Sequence, residues 1–85
     1  MKYMNEILDE IINLGFIEDF ENTHCNARIF YKEERYWYWK LSYLEKEQHM
    51  IVSRETSDGL TDIYFKGVIN NVEDFSTIMR LIEIK

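Results

Sequence analysis

Eighty-five residues with a formal net charge of −6, 46% of them hydrophobic and 31% charged, describe one small globular domain over 1–85, not a disordered chain. No run approaches the ~20 apolar residues of a membrane span, and the opening Met1-Lys2-Tyr3-Met4-Asn5-Glu6 has no signal-peptide pattern. The acid excess opposes direct nucleic-acid binding, because a phosphate backbone needs Lys and Arg to release its counterions, and it favours a basic protein partner.

Apolar residues Met4, Ile7, Leu8, Ile11 and Ile12 recur at helical spacing and predict a helix over 3–14. Gly15 stands where a left-handed helix ending is expected, with Phe16 placed to fold back on Ile11. Residues 16–20 read either as a short edge strand or as irregular loop, and 22–26 read as loop from their Asn and Thr content. Strands follow over 27–32, 36–44, 50–55 and 60–66, separated by polar turns at 32–35 and 45–48.

The strand over 36–44 is the most distinctive. Tyr36-Trp37-Tyr38-Trp39 is a run of four aromatics that a helix would scatter around its circumference. A strand divides them, with Trp37, Trp39, Leu41 and Tyr43 toward the core and Tyr36, Tyr38, Lys40 and Ser42 on a half-wet side. Asp58-Gly59 between apolar runs signals a type I′ hairpin, and Ile63 and Phe65 are expected on one face of the last strand. Asn71 is a good N-cap for a closing helix with the apolar stripe Val72, Phe75, Ile78, Met79 and Ile82. Glu73 and Asp74 suit the positive end of its dipole; Arg80 and Lys85 suit the negative end. The predicted fold is α+β: an N-terminal helix, a four-stranded antiparallel meander and a C-terminal helix, with both helices on one face of the sheet.

Charge is unevenly placed. Residues 1–26 hold Glu6, Asp9, Glu10, Glu18, Asp19 and Glu21 against Lys2 alone, a net of −5, so almost the whole excess lies in the first third. Glu6, Asp9, Glu10 and Asn13 lie at i, i+3, i+4, i+7, opposite the apolar stripe of the first helix, with no basic residue four positions on. They form either an acidic ridge for a partner or an ordinary solvated face. Tyr36, Tyr38, Lys40, Tyr64 and Lys66 are the second candidate, either a stacking surface of the kind that holds single-stranded nucleic acid or a partly covered, self-stabilised sheet face.

Nothing in the sequence carries catalysis. Gly15, Gly59 and Gly67 are isolated, so no phosphate-cradling loop forms; His24, Cys25 and His49 match no zinc spacing and lack an oxyanion donor. No cofactor or metal is therefore expected. Cys25, the single cysteine, has no internal disulfide partner and fits a reducing cytoplasm.

In size and charge the chain is similar to small acidic proteins of phages and mobile elements, including anti-CRISPR proteins that imitate nucleic acid. That likeness is one of general character, and no motif transfers a functional residue. The expectation is a cytoplasmic, non-enzymatic inhibitor, monomeric or homodimeric, that binds a basic protein partner which handles nucleic acid. The candidate contacts are the six acids above with Tyr36, Tyr38 and Tyr64. The alternatives are a bacterial immunity or antitoxin protein, and a ligand or nucleic-acid binder using the tyrosine-rich face.

Overall fold

The computed structural model describes residues 6–24 and 26–82. Its element order is α1 (Glu6–Asn13), β1 (Ile17–Glu18), β2 (Ala27–Glu33), β3 (Trp37–Leu44), β4 (His49–Thr56), β5 (Thr61–Val68) and α2 (Val72–Leu81). The strands pair in sequence order, each antiparallel to the next, as one five-stranded meander. The class is α+β as expected, but the sheet has five strands where the sequence predicts four. The additional one is β1, whose two residues pair Ile17 with Tyr31 and Glu18 with Phe30. Two residues carry no periodicity of their own, so only the pairing with β2 defines this strand.

The helix α1 closes as its sequence implies. Gly15 takes φ +97° and donates to the Ile12 carbonyl, and the Phe16 N–H reaches back to the Ile11 carbonyl. These two bonds make a Schellman ending, which a residue with a Cβ would strain. The helix ends at Asn13 instead of the predicted residue 14; its predicted start over 3–5 lies outside the described residues. At α2, the Asn71 side chain accepts from the Asp74 N–H at 2.8 Å, the expected N-cap. Met4 and Lys85 also lie outside the described residues.

The register sorts the helix-facing side of the sheet into three cross-strand rows. The middle row runs Phe30, Leu41, Val52, Phe65; a second runs Arg28, Tyr43, Met50, Gly67; the third runs Lys32, Trp39, Arg54, Asp62. Phe30, Leu41, Val52, Tyr43 and Met50 are buried, and they share one core with Ile7 and Ile11 of α1, Phe16, Ile69, and Phe75 and Met79 of α2. Both helices therefore lie on the same side of the sheet. Trp39 is buried, and Trp37 and Phe65 are partly buried against the core. The aromatic strand thus splits its residues as its alternation requires, except that Tyr36 precedes the strand in an exposed bend.

Two details of β5 differ from expectation. It spans Thr61–Val68 and not 60–66, and a bulge opposite Val52 and Ser53 pairs Val52 with Phe65 but Ser53 with Ile63. Tyr64 is left without a rung, and Ile63 and Phe65 fall on opposite faces. Ile63 is 63% exposed in consequence. The turn before β5 is not type I′. Of Asp58 and Gly59 only the glycine has positive φ, +89°, and the loop closes with the Gly59 N–H on the Thr56 carbonyl and the Thr56 N–H on the Leu60 carbonyl. That pattern is a three-residue loop with a left-handed glycine, the next most common hairpin solution.

No helix among the described residues is long and apolar enough to cross a membrane. The core assignment makes a direct prediction. Trp39→Ala should lose about 3–5 kcal/mol, lowering the melting temperature by more than ~10 °C in a domain of this size. A thermal melt within a few degrees of wild type would show that Trp39 is not a core residue.

Candidate functional site

The acidic residues of the N-terminal third meet different fates. Glu6 and Asp9 are exposed on α1 and Glu10 is half-buried, and none of the three is ion-paired among the described residues. Asp19 is used locally: its carboxylate accepts from the Glu21 N–H at 3.2 Å and from the Asn22 amide at 2.7 Å, closing the turn after β1. Glu21 is exposed. Glu18 does not belong to a free acidic surface. Its side chain is 6% exposed and accepts the Arg28 Nε at 2.9 Å and Nη2 at 2.7 Å, a bidentate pair. A third carboxylate oxygen, from Glu45, lies 3.4 Å from Arg28 Nη1.

This Arg28 hydrogen bond, more than any other influence, holds the Glu18 carboxyl below the usual carboxylate range. The same pairing raises the Arg28 guanidinium. Because Glu18 is depressed in the folded state, its contribution to stability is present above the unfolded pKa and is lost as pH falls through the folded value.

The expected tyrosine face does not assemble. Tyr36 lies in the bend before β3 beside Arg35, whose guanidinium carbon sits 5.5 Å from its ring centre. Tyr38 faces the helix-free side, where its ring meets Tyr31 edge-on at 5.4 Å and its hydroxyl donates to Glu55 at 2.7 Å. The Glu55 carboxylate raises the Tyr38 phenol above its ordinary pKa. Tyr64 is on the opposite side. The bulge turns it against Trp39, ring centres 5.2 Å apart at 82°. Sequence periodicity across Leu60 to Lys66 could not place Tyr64, because the slip is dictated by β4.

What Tyr64 joins instead is an open cleft of about 570 Å³ at the end of the third row. Trp37, Trp39 and Tyr64 form its aromatic wall, Lys32 and Glu34 one side, and Ile82 the rim beyond α2. Lys32 Nζ donates to the Leu14 carbonyl at 2.6 Å, so a cation answers the negative end of α1 here. Arg54 stands at the centre, its guanidinium carbon 5.2 Å from the Trp37 ring and 5.1 Å from the Tyr64 ring. Its nearest carboxylate, Asp62, is 3.6 Å from Nη2, beyond hydrogen-bonding distance. Arg54 Nε and Trp37 Nε1 are both buried with no acceptor among the described residues.

Sequence reasoning missed this cleft, although one signal was available. Arg54 alternates in phase with Met50 and Val52, and Lys32 with Phe30, so both cations lie on the core-facing parity of their strands. No group of three or more His, Cys, Asp and Glu residues is gathered for a metal among the described residues, and Cys25 lies outside them.

The part-buried Glu18–Arg28 pair gives a pH test. Glu18→Gln should destabilise the protein by about 1–3 kcal/mol at neutral pH, since it leaves a charged partner under-satisfied. In denaturant titrations the gap from wild type should narrow as pH falls below the ordinary carboxylate range, where the unfolded chain takes up the proton first and folded Glu18, held low by Arg28, follows at lower pH. A gap that is constant from pH 7 to pH 3 would mean that the pair does not titrate as described.

Comparisons with protein-family models, with curated proteins and with solved structures find no match, so residues and geometry alone carry the functional reading.

Proposed function

We propose that this protein is a non-enzymatic binding antagonist whose acidic N-terminal helix docks a basic surface of a nucleic-acid-handling protein, partly by imitating nucleic-acid charge. The observation that carries this reading is the grouping of three acids on one side of α1 with no basic residue among them, in contrast to the carboxylates that the sheet engages. Glu18 and Glu45 are held by Arg28, Asp62 approaches Arg54, and Glu55 accepts from Tyr38. Glu6, Asp9 and Glu10 have no such ion pair among the described residues, although they stand at i, i+3 and i+4 on one side of α1.

Like charges at that spacing cost a helix ~0.2–0.5 kcal/mol per pair. The first-turn position of Glu6 and Asp9 suits the helix dipole, but the repulsion works against that gain and Glu10 lies beyond the first turn, whereas a basic partner favours all three. Ile12, 53% exposed on the same helix, offers an apolar contact beside the ridge. An antagonist needs no reacting group; it works by occupying a surface. An immunity protein neutralising a toxin would rest on the same ridge and differ only in the partner's identity.

Charge complementarity acts chiefly on association rate and specificity. The variant Glu6→Lys, Asp9→Lys, Glu10→Lys should keep the fold and bind the wild-type partner at least tenfold more slowly at low salt. Its binding should also respond less to added salt, and an oligonucleotide should compete with the wild-type protein for that partner. Normal binding by the triple variant, with binding abolished by Tyr36→Ala or Tyr38→Ala, would move the site to the tyrosines and end the charge-imitation reading.

A further inference from the structure

We propose that the Trp37–Arg54–Tyr64 cleft is a recognition site for a carboxylate carried on an apolar body. This inference is independent of the α1 ridge and goes beyond the antagonist reading. Two arginines on the helix-facing side of one sheet provide the comparison. Arg28 gives its Nε and Nη2 edge to Glu18 at 2.9 and 2.7 Å. Arg54 presents the same edge with Nε unbonded and Nη2 3.6 Å from Asp62. One guanidinium fork is saturated by a carboxylate; the other has one only nearby.

The rings fix what that fork can do. The Arg54 guanidinium carbon lies 5.2 and 5.1 Å from the Trp37 and Tyr64 ring centres; these rings offer its N–H groups no oxygen acceptor, which leaves the guanidinium edge as the bonding surface. A planar carboxylate matches that edge with two parallel hydrogen bonds. Trp37, which lines the same cleft, carries the second buried donor lacking an acceptor, its indole N–H. Leaving such donors unmet is costly, and an incoming acceptor removes the cost.

The remaining walls narrow the ligand further. Glu34 lines the cleft, Asp62 flanks it and α2 ends there beside Ile82, while the other lining cation, Lys32, is engaged at the Leu14 carbonyl that ends α1. These groups disfavour a dianion such as phosphate and leave room for one negative charge. Trp37, Trp39, Tyr64 and Ile82 supply apolar surface for the body that bears it. Binding replaces Asp62, whose side chain is 66% exposed, by the ligand carboxylate on the Arg54 edge.

The test uses the whole protein and reads the two indole N–H resonances by NMR, assigned with Trp37→Phe. The probes are 3-phenylpropionate, its neutral amide, and inorganic phosphate. Phenylpropionate should shift the Trp37 resonance in a saturable manner, while the amide and phosphate do not. Arg54→Lys keeps the charge but loses the fork, and should bind at least tenfold more weakly. Asp62→Asn removes the internal competitor and should bind severalfold more tightly. Should Arg54→Lys fail to fold, Trp37→Phe keeps the ring, loses the donor, and should itself weaken binding, followed through the Trp39 resonance. The proposal is overturned by no shift at about 10 mM phenylpropionate, by an equal response to the amide or to phosphate, by wild-type affinity in Arg54→Lys, or by weaker binding in Asp62→Asn.

Discussion

The structure depends on burial of one cross-strand row, Phe30, Leu41, Val52 and Phe65, beneath two short helices. An eight-residue and a ten-residue helix extend only ~12 and ~15 Å. Strands of eight residues run ~26 Å. Over the described residues the helices roof the middle of the sheet but not its length. What lies under the roof is apolar, and what lies at its margins on the same side must satisfy charge without full solvation. The rows flanking the centre accordingly begin with Arg28 and Lys32, and the outer one continues through Arg54.

Those margins are solved in opposite ways. At one, Glu18 arrives on the two-residue strand β1 and closes around Arg28, so the edge of the core is sealed by a bidentate pair. A buried pair of this kind is poor evidence of stability by itself, because desolvation offsets much of the attraction. It does tie β1 to β2, which a ladder of two residue pairs alone would hold weakly. At the other margin rings replace the carboxylate. Trp37 and Tyr64 flank the Arg54 guanidinium, and its edge is left under-coordinated. One end of the core is closed and the other is recessed.

Much of this was legible in the sequence because it is local. The stripe of α1, the glycine that ends it, the Asn71 cap and the alternation through Trp37 to Tyr43 each depend on neighbours within one turn or one strand. The parts that were not legible depend on partners distant in sequence. β1 exists through its bonds to Tyr31 and Phe30; the side taken by Tyr64 follows from a slip between β4 and β5. The cleft was hidden by a sound rule, that charged residues on strands belong to the wet face. Arg54 and Lys32 break it, and they do so where the helices run out.

The bulge at Tyr64 also bears on self-association. With β1 only two residues long, β5 is the longer border of the sheet, and its outer backbone groups are a template for another strand. A bulge accentuates local twist, and Lys66 adds a charge that an invading strand would have to accommodate, so the border resists flat, unlimited stacking. Losing the single residue Tyr64 would restore a regular ladder, with Ile63 still opposite Ser53 and Asp62 still opposite Arg54, and so would flatten that border and remove the ring beside Arg54. One apparent irregularity in the ladder thus twists the free border of the sheet and also gives Arg54 its second ring.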